Sequence, residues 1–229
     1  LFEAEPLTWD FLWLAWNSFY RALLAALIVV SLALVLCYAL RLHPSRPVAG
    51  AVASAGVGYA LPGTIIAIGV IVPLAWLDHG LIALVKDVTD VKIGLLFSGT
   101  IVALLFAYAV RFMAVSLGAV QSGLGKIKPS MDMAGRSLGL TPIQVLKRVH
   151  FPLLKGSVLT ALLIVFVDVL KELPATLILR PFNFNTLAVR AFELASDERL
   201  VDAAPASIMI VLVGLIPVVL LNRSISKTH

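Results

Sequence analysis

The chain has a single cysteine in 229 residues, Cys37, and it lies inside an apolar run. One thiol can form neither an intrachain disulfide nor a cysteine-rich metal site, so no redox compartment can be read from it. Charge is scarce too: Asp, Glu, Lys and Arg make up 14% of the residues, against about 25% in an ordinary soluble domain. The four histidines, His43, His79, His150 and His229, fall in expected loops or at the end, so none pairs with a serine inside an apolar run to make a nucleophile. There is no HExxH and no paired-carboxylate cluster that would hold a metal. Gly56, Gly58 and Gly63 lack a following Lys-Ser/Thr, which excludes a phosphate loop and leaves small-residue helix packing. The first residues, LFEAEPLTWD, are acidic and lack the basic segment of a secretory signal.

What the chain has in abundance is apolar surface. Hydrophobic residues reach 60% and the mean hydropathy is +1.01, which excludes a soluble domain and makes the lipid bilayer its solvent. A helical crossing needs about 20 apolar residues. Five stretches qualify, at about 19–40, 61–77, 93–113, 156–179 and 203–222. The uncharged run from Val48 to Leu77 is too long for one upright crossing and is expected to break at Pro62-Gly63, with the small-residue piece before it packed at the membrane edge.

The net charge of +5 marks orientation rather than nucleic-acid binding, because the basic residues sit between the apolar runs. Eleven of the 18 Lys and Arg, namely Arg41, Arg46, Arg111, Lys126, Lys128, Arg136, Lys147, Arg148, Lys155, Arg223 and Lys227, fall on one side with only Asp132 against them. That side is expected to be cytoplasmic. The other side, with Glu3, Glu5, Asp10, Asp78, Lys86, Asp87, Asp90, Lys92 and the segment from Arg180 to Asp202, is mixed and net acidic. Residue 1 is then outside and residue 229 inside, and a further segment is expected upstream of Leu1.

The loop between the third and fourth spans, about 114–155 with Arg111 at its edge, is too long for a simple connector. Ser130 is expected to cap a short helix with Asp132 in its first turn, and Gly139 to end it in a left-handed conformation. Thr141-Pro142-Ile143-Gln144 reads as a capping box that starts a second helix at once. The loop is thus expected to carry a helix-turn-helix.

The segment MDMAGRSLGLTPIQVLKRVHFP, Met131 to Pro152, resembles the EAA loop of binding-protein-dependent ABC importer permeases. In that family Glu-Ala-Ala is followed after three residues by Gly and after nine more by Ile-x-Leu-Pro. Ala134, Gly139 and Pro152 match; Met133 stands in place of the glutamate, with Asp132 one residue early, and Gly135 replaces the second alanine. The stretches GYALPGTIIAIGV and VFVDVLKELPATLILRPFNFNTLAVRAFELASDERL are similar to ferric-iron permeases, in which two homologous halves are joined, and this chain resembles the C-terminal half.

The resemblance implies an all-α polytopic membrane helical bundle, the type I ABC importer permease fold, in a single transmembrane permease domain over 1–229. It implies a location in the bacterial inner membrane and no enzymatic activity or cofactor on this chain, ATP being bound by a partner ATPase subunit. The implied partners are cytoplasmic ATPase subunits, a periplasmic substrate-binding protein and a second permease half, with no nucleic acid. Ferric iron is the implied cargo; thiamine, sulfate, phosphonate and polyamine are alternatives within the class, and a secondary transporter is the rival outside it. Asp132, Met133, Ala134, Gly135, Arg136, Gly139 and Pro152 would form the ATPase-coupling surface, with the small residues Ala134 and Gly135 allowing close approach of the partner.

One span carries charge. Asp168, Lys171 and Glu172 lie at i, i+3 and i+4, so Lys171 can pair with Asp168 on one helix face. Each would cost about 2.5–3.5 kcal/mol facing lipid and should face the bundle interior or a water-filled route. Pro174 is expected to kink the helix. These four residues either line and gate a translocation path or brace two helices against each other.

Overall fold

The structure is a computed structural model that describes residues 8–89, 94–182 and 184–226. Glu3, Glu5, Asp90, Lys92 and Lys227 of the charge pattern lie outside the described residues. The described residues are helical and turn, with no strand among them. Helix α1 (Trp9–Leu42) opens on Thr8, whose side chain accepts the Phe11 N–H, and its 34 residues correspond to about 51 Å. Trp9, Trp13 and Trp16 stand exposed on its first turns, the placement that aromatic side chains favour at a membrane–water boundary.

Helix α2 (Arg46–Ala55) and a 3-10 turn (Val57–Ala60) lead to an extended Leu61. The chain then re-enters helix as α3 (Gly63–Thr89). The break at Pro62-Gly63 falls where the sequence places it. Helices α4 (Ile101–Gly125), α5 (Pro129–Ser137) and α6 (Pro142–Val145) follow, and a π-helical turn at Leu146–His150 joins α6 to α7 (Phe151–Leu170). Short helices α8 (Pro174–Leu179) and α9 (Leu187–Ser196) precede α10 (Leu200–Ser226).

The centre of the bundle is the packing of α1, α4 and α7. Its contact faces are small: Ala22, Ala25, Ala26, Val29 and Ala33 on α1, Ala103 and Ala107 on α4, and Ala161 and Val165 on α7 are essentially inaccessible. Small side chains let helices approach closely where lipid removes the hydrophobic driving force between them. Among the described residues four helices are long and apolar enough to cross a membrane: Trp9–Leu42, Gly63–Val88, Ile101–Gly125 and the continuous Pro142–Leu170. The fifth expected span falls in α10, where the described apolar stretch is Leu200–Leu215.

Several sequence expectations are corrected. Asp78, expected in an outer loop, is a fully buried residue within α3. Its carboxylate accepts the N–H groups of Leu96 (2.9 Å), Phe97 (3.0 Å) and Ser98 (2.7 Å) and the Ser98 hydroxyl (2.5 Å). One carboxylate thereby satisfies the backbone of a non-helical connection, so α4 begins at Ile101 rather than near 93, with Thr100 as its N-cap. Arg111, expected at the cytoplasmic edge, lies in the middle of α4, so the loop that carries the helix-turn-helix starts only at Lys126. Lys128, not Ser130, holds the N-cap position of α5, because Pro129 takes the first helical position and fixes the start there. The helix expected over 156–179 does not merely kink at Pro174: it stops at Leu170 and restarts as α8 with Pro174 in its first turn.

Candidate functional site

The expected site residues form two clusters, one at each end of the continuous helix Pro142–Leu170. The first is the α5–α6 hairpin. Gly139 adopts φ +74, a left-handed conformation open to glycine at no steric cost, and it turns the chain directly into α6. The Thr141 hydroxyl accepts the Gln144 N–H while the Gln144 side-chain oxygen accepts the Thr141 N–H at 2.8 Å, completing the capping box. Pro152 cannot donate to the carbonyl four residues back and crowds it. The helix widens there, and the Phe151 N–H instead reaches the Leu146 carbonyl.

Asp132 is the hub of this end. Its carboxylate takes the Arg41 guanidinium of α1 (Nη2 at 2.9 Å, Nε at 3.0 Å) and the Nε2 of the buried His150. Arg41 also donates to the carbonyls of Leu124 (2.8 Å) and Ile127 (2.9 Å), where α4 ends. Tyr38 stacks edge-on against His150 and donates its hydroxyl to the Pro142 carbonyl at 2.6 Å. Three elements are thus pinned to the first turn of α5: the ends of α1 and α4, and the helix that carries His150.

Gly135 does not lie on the outer surface of the hairpin, as expected from its small size. It is buried, and a Cβ there would stand 2.9 Å from Val145 Cγ2. Its smallness serves the α5–α6 contact. The surface presented outward is apolar: Met133, Leu138 and Ile143 are 62%, 80% and 63% exposed, joined by the exposed Ala134 and Arg136.

The second cluster lies where α7 breaks. Lys171 Nζ meets Asp168 Oδ1 at 2.9 Å, as the spacing predicts, but the Lys171 side chain is 63% exposed. Glu172 faces elsewhere. Its side chain is 6% exposed and its Oε2 lies 2.9 Å from Nε of Arg111. Glu172 Oε1 accepts the Ala175 N–H (3.2 Å), capping the start of α8, and the Glu172 carbonyl accepts the Thr176 hydroxyl (2.6 Å), which in turn bonds the Tyr108 hydroxyl (2.7 Å). Arg111 donates to the Leu61 carbonyl at 2.9 Å. That carbonyl belongs to the break before α3, so two helix discontinuities meet at one ion pair. Gly63 is required there: a Cβ would come within 2.5 Å of Glu172 Oε1 and 3.2 Å of Arg111 Nη1.

Arg41, His150, Arg111, Tyr108 and Thr176 are not among the expected site residues. Arg111 carries a signal nonetheless, since it is the one charge between Ile101 and Gly125, and a carboxylate of opposite sign is expected within the bundle. Among the described residues no group of three or more His, Cys, Asp or Glu could hold a metal ion.

No protein-family model matches the chain. It is 29% identical over 124 residues to the Fe(3+)-transport system permease protein FbpB 2 of Haemophilus influenzae, a match covering 54% of this chain and 24% of that protein. It is 30% identical over 126 residues to the putative 2-aminoethylphosphonate transport system permease protein PhnV of Salmonella typhimurium, covering 55% of this chain and 48% of that one. The chain therefore matches less than half the length of either relative. In structure it resembles the MetNI methionine ABC transporter in an inward-facing conformation, with a TM-score of 0.61 at 16% identity over 96% of this chain and 99% of that chain. It also resembles a bacterial ABC transporter that imports alginate, with a TM-score of 0.67 at 14% identity over 92% and 79% of the two chains. The chain has the fold of ABC importer permeases, is similar in sequence to two transport permeases, and is a multi-pass helical membrane protein.

Proposed function

We propose that the chain is a membrane-spanning permease half of a binding-protein-dependent ABC importer in the bacterial inner membrane, with the α5–α6 hairpin as its cytoplasmic ATPase-coupling element. The observation that carries this reading is the construction of the hairpin. Asp132 is consumed by Arg41 and His150, while Met133, Leu138 and Ile143 stand exposed at the tip. An exposed apolar tip on a rigidly held short helix is the geometry of helix-in-groove docking. Asp132 therefore does not replace the expected glutamate as a contact to the ATPase; it braces the helix from behind.

In this reading two ATPase subunits bind ATP, close, and carry the hairpins of two permease halves with them. The membrane halves then rock between inward-open and outward-open states. A periplasmic binding protein delivers cargo to the opposite end, where Arg180 pairs with Glu193 and Arg199 with Asp202 to order the connection around α9. Asp168, Lys171, Glu172 and Pro174 mark the translocation route, the exposed Lys171 facing it and Glu172 bracing it. Ferric iron is the favoured cargo. The second reading, an organophosphonate, is favoured by the PhnV match, which spans a larger share of that relative.

The test is purification of the chain from membranes together with its partner ATPase. Replacing Gly135 by Leu, which drives a side chain into Val145, or the exposed Leu138 by Asp should lose the ATPase. Uptake of radiolabelled ferric iron or 2-aminoethylphosphonate into vesicles then assigns the cargo. Uptake that continues without any ATPase overturns the importer reading.

A further inference from the structure

A groove of about 790 Å³ runs between the last turns of α1 and the α6–α7 segment, lined by Leu34, Tyr38 and Leu42 on one side and Leu146, Lys147 and Phe151 on the other. Its walls are hydrocarbon except at two places. The Tyr38 hydroxyl is already committed to the Pro142 carbonyl. The Lys147 ammonium is the single charge on the lining, the residue is exposed, and it pairs with no carboxylate among the described residues. The acid of this end, Asp132, is held by Arg41 and His150, and the residue next to Lys147 in the chain is a second base, Arg148.

The dimensions select an occupant. From Leu34 to Leu42 the groove follows α1 for about 12 Å, close to the half-thickness of about 15 Å of a hydrocarbon core. Its apolar length thus matches one leaflet, with a cation at the level of the headgroups. A partner helix would bury Lys147 against apolar side chains and leave its charge uncompensated. A phospholipid with an anionic headgroup satisfies both the walls and the charge. We infer that the groove binds one anionic glycerophospholipid of the leaflet next to the hairpin, an acyl chain lying between α1 and α7 and the phosphate on Lys147.

Such a lipid would staple α1 to the helix that carries His150, beside the Asp132 hub, and so support the hairpin from its membrane side. The inference uses the proposed permease function only to say that this leaflet is the cytoplasmic one. It is tested by counting bound lipid on the full chain, purified from membranes with the subunits it carries and placed in nanodiscs of phosphatidylcholine with phosphatidylglycerol, by native mass spectrometry. The wild type should retain one phosphatidylglycerol per chain. Lys147→Gln should weaken that retention about fivefold, as expected for one basic side chain near a membrane surface, while Lys147→Arg keeps it and phosphatidylcholine retention does not change. Ala39→Trp, which fills the groove, should expel the lipid. Equal phosphatidylglycerol retention in wild type and Lys147→Gln overturns the inference, as does a photo-crosslinker at Val35 that captures a polypeptide instead of lipid. A wild-type chain that carries no ATPase subunit yet retains the lipid would count against the importer reading alone.

Discussion

Removing either partner of the Arg111–Glu172 pair should be more damaging than removing both. Glu172 is 6% exposed and Arg111 22%, so the pair is buried on one side and partly open on the other. Arg111→Met leaves a buried carboxylate with the Ala175 N–H as its remaining donor and leaves the Leu61 carbonyl without its partner. Breaking a buried pair costs about 3–5 kcal/mol. The opening on the Arg111 side moves the value to the low end, about 3 kcal/mol. Glu172→Gln keeps an acceptor for Ala175 but strands the guanidinium, at about 2 kcal/mol. In the double variant no charge is left, the methionine side chain fills the alkyl volume of the arginine it replaces, and the loss should fall to about 1 kcal/mol. For a chain of this size about 3 kcal/mol corresponds to roughly 6–12 °C in Tm, measurable in detergent by thermal unfolding of the purified protein. Stability losses of the two single variants that simply add in the double would refute the reasoning, because independent sites add. Uptake by the double variant then separates bracing from gating: a brace restores transport with stability, a gate does not.

Asp78→Ala removes the acceptor for three backbone N–H groups at once. At about 1 kcal/mol or more for each, the connection 94–100 should lose its hydrogen-exchange protection, and Asp78→Asn should retain part of it; unchanged protection in Asp78→Ala would show that the buried carboxylate does not organise this turn. Lys171→Met, at a side chain 63% exposed, should change stability by no more than about 0.5 kcal/mol yet abolish uptake, and normal transport in that variant would remove Lys171 from the route.

The features that can be read from the sequence are local ones. The capping box at Thr141, the left-handed Gly139, the break at Pro62-Gly63 and the Asp168–Lys171 pair each depend on residues within four positions of one another. Their physics is complete in a short window. Span limits go wrong wherever a charge is read as the edge of the membrane. Arg111 and Asp78 are charged residues inside helices, each satisfied by groups distant in sequence: Glu172 for one, the backbone of Leu96 to Ser98 for the other. A charge with a buried partner costs less to place within a bundle than an unpaired one against lipid. Hydropathy cannot distinguish the two cases. Gly135 is misread for a similar reason: smallness indicates close approach, but only the fold says to what, and here it is Val145 of the same hairpin.

Both clusters lie on one helix. His150 sits in the π-helical turn near its start, and Glu172 follows two residues after its end. The helix between them is unbroken over Pro142–Leu170, and about 22 residues at 1.5 Å place the two side chains about 33 Å apart along its axis. A loop would dissipate a displacement over that distance, whereas a helix packed against α1 and α4 transmits it as a rotation or a translation. At the hairpin end the helix is held through His150 and Asp132, and at the other end through Glu172 and Arg111. These two contacts differ in what they join. Asp132 ties the helix to the hairpin through side chains from three elements, while Glu172 ties it to the junction of two broken spans. In the proposed importer, a shift of α5 by a docked ATPase would act on the break at Lys171–Leu173 without any intervening flexible segment, and the wide turn at Leu146–His150 is the place where such a shift would be absorbed or passed on.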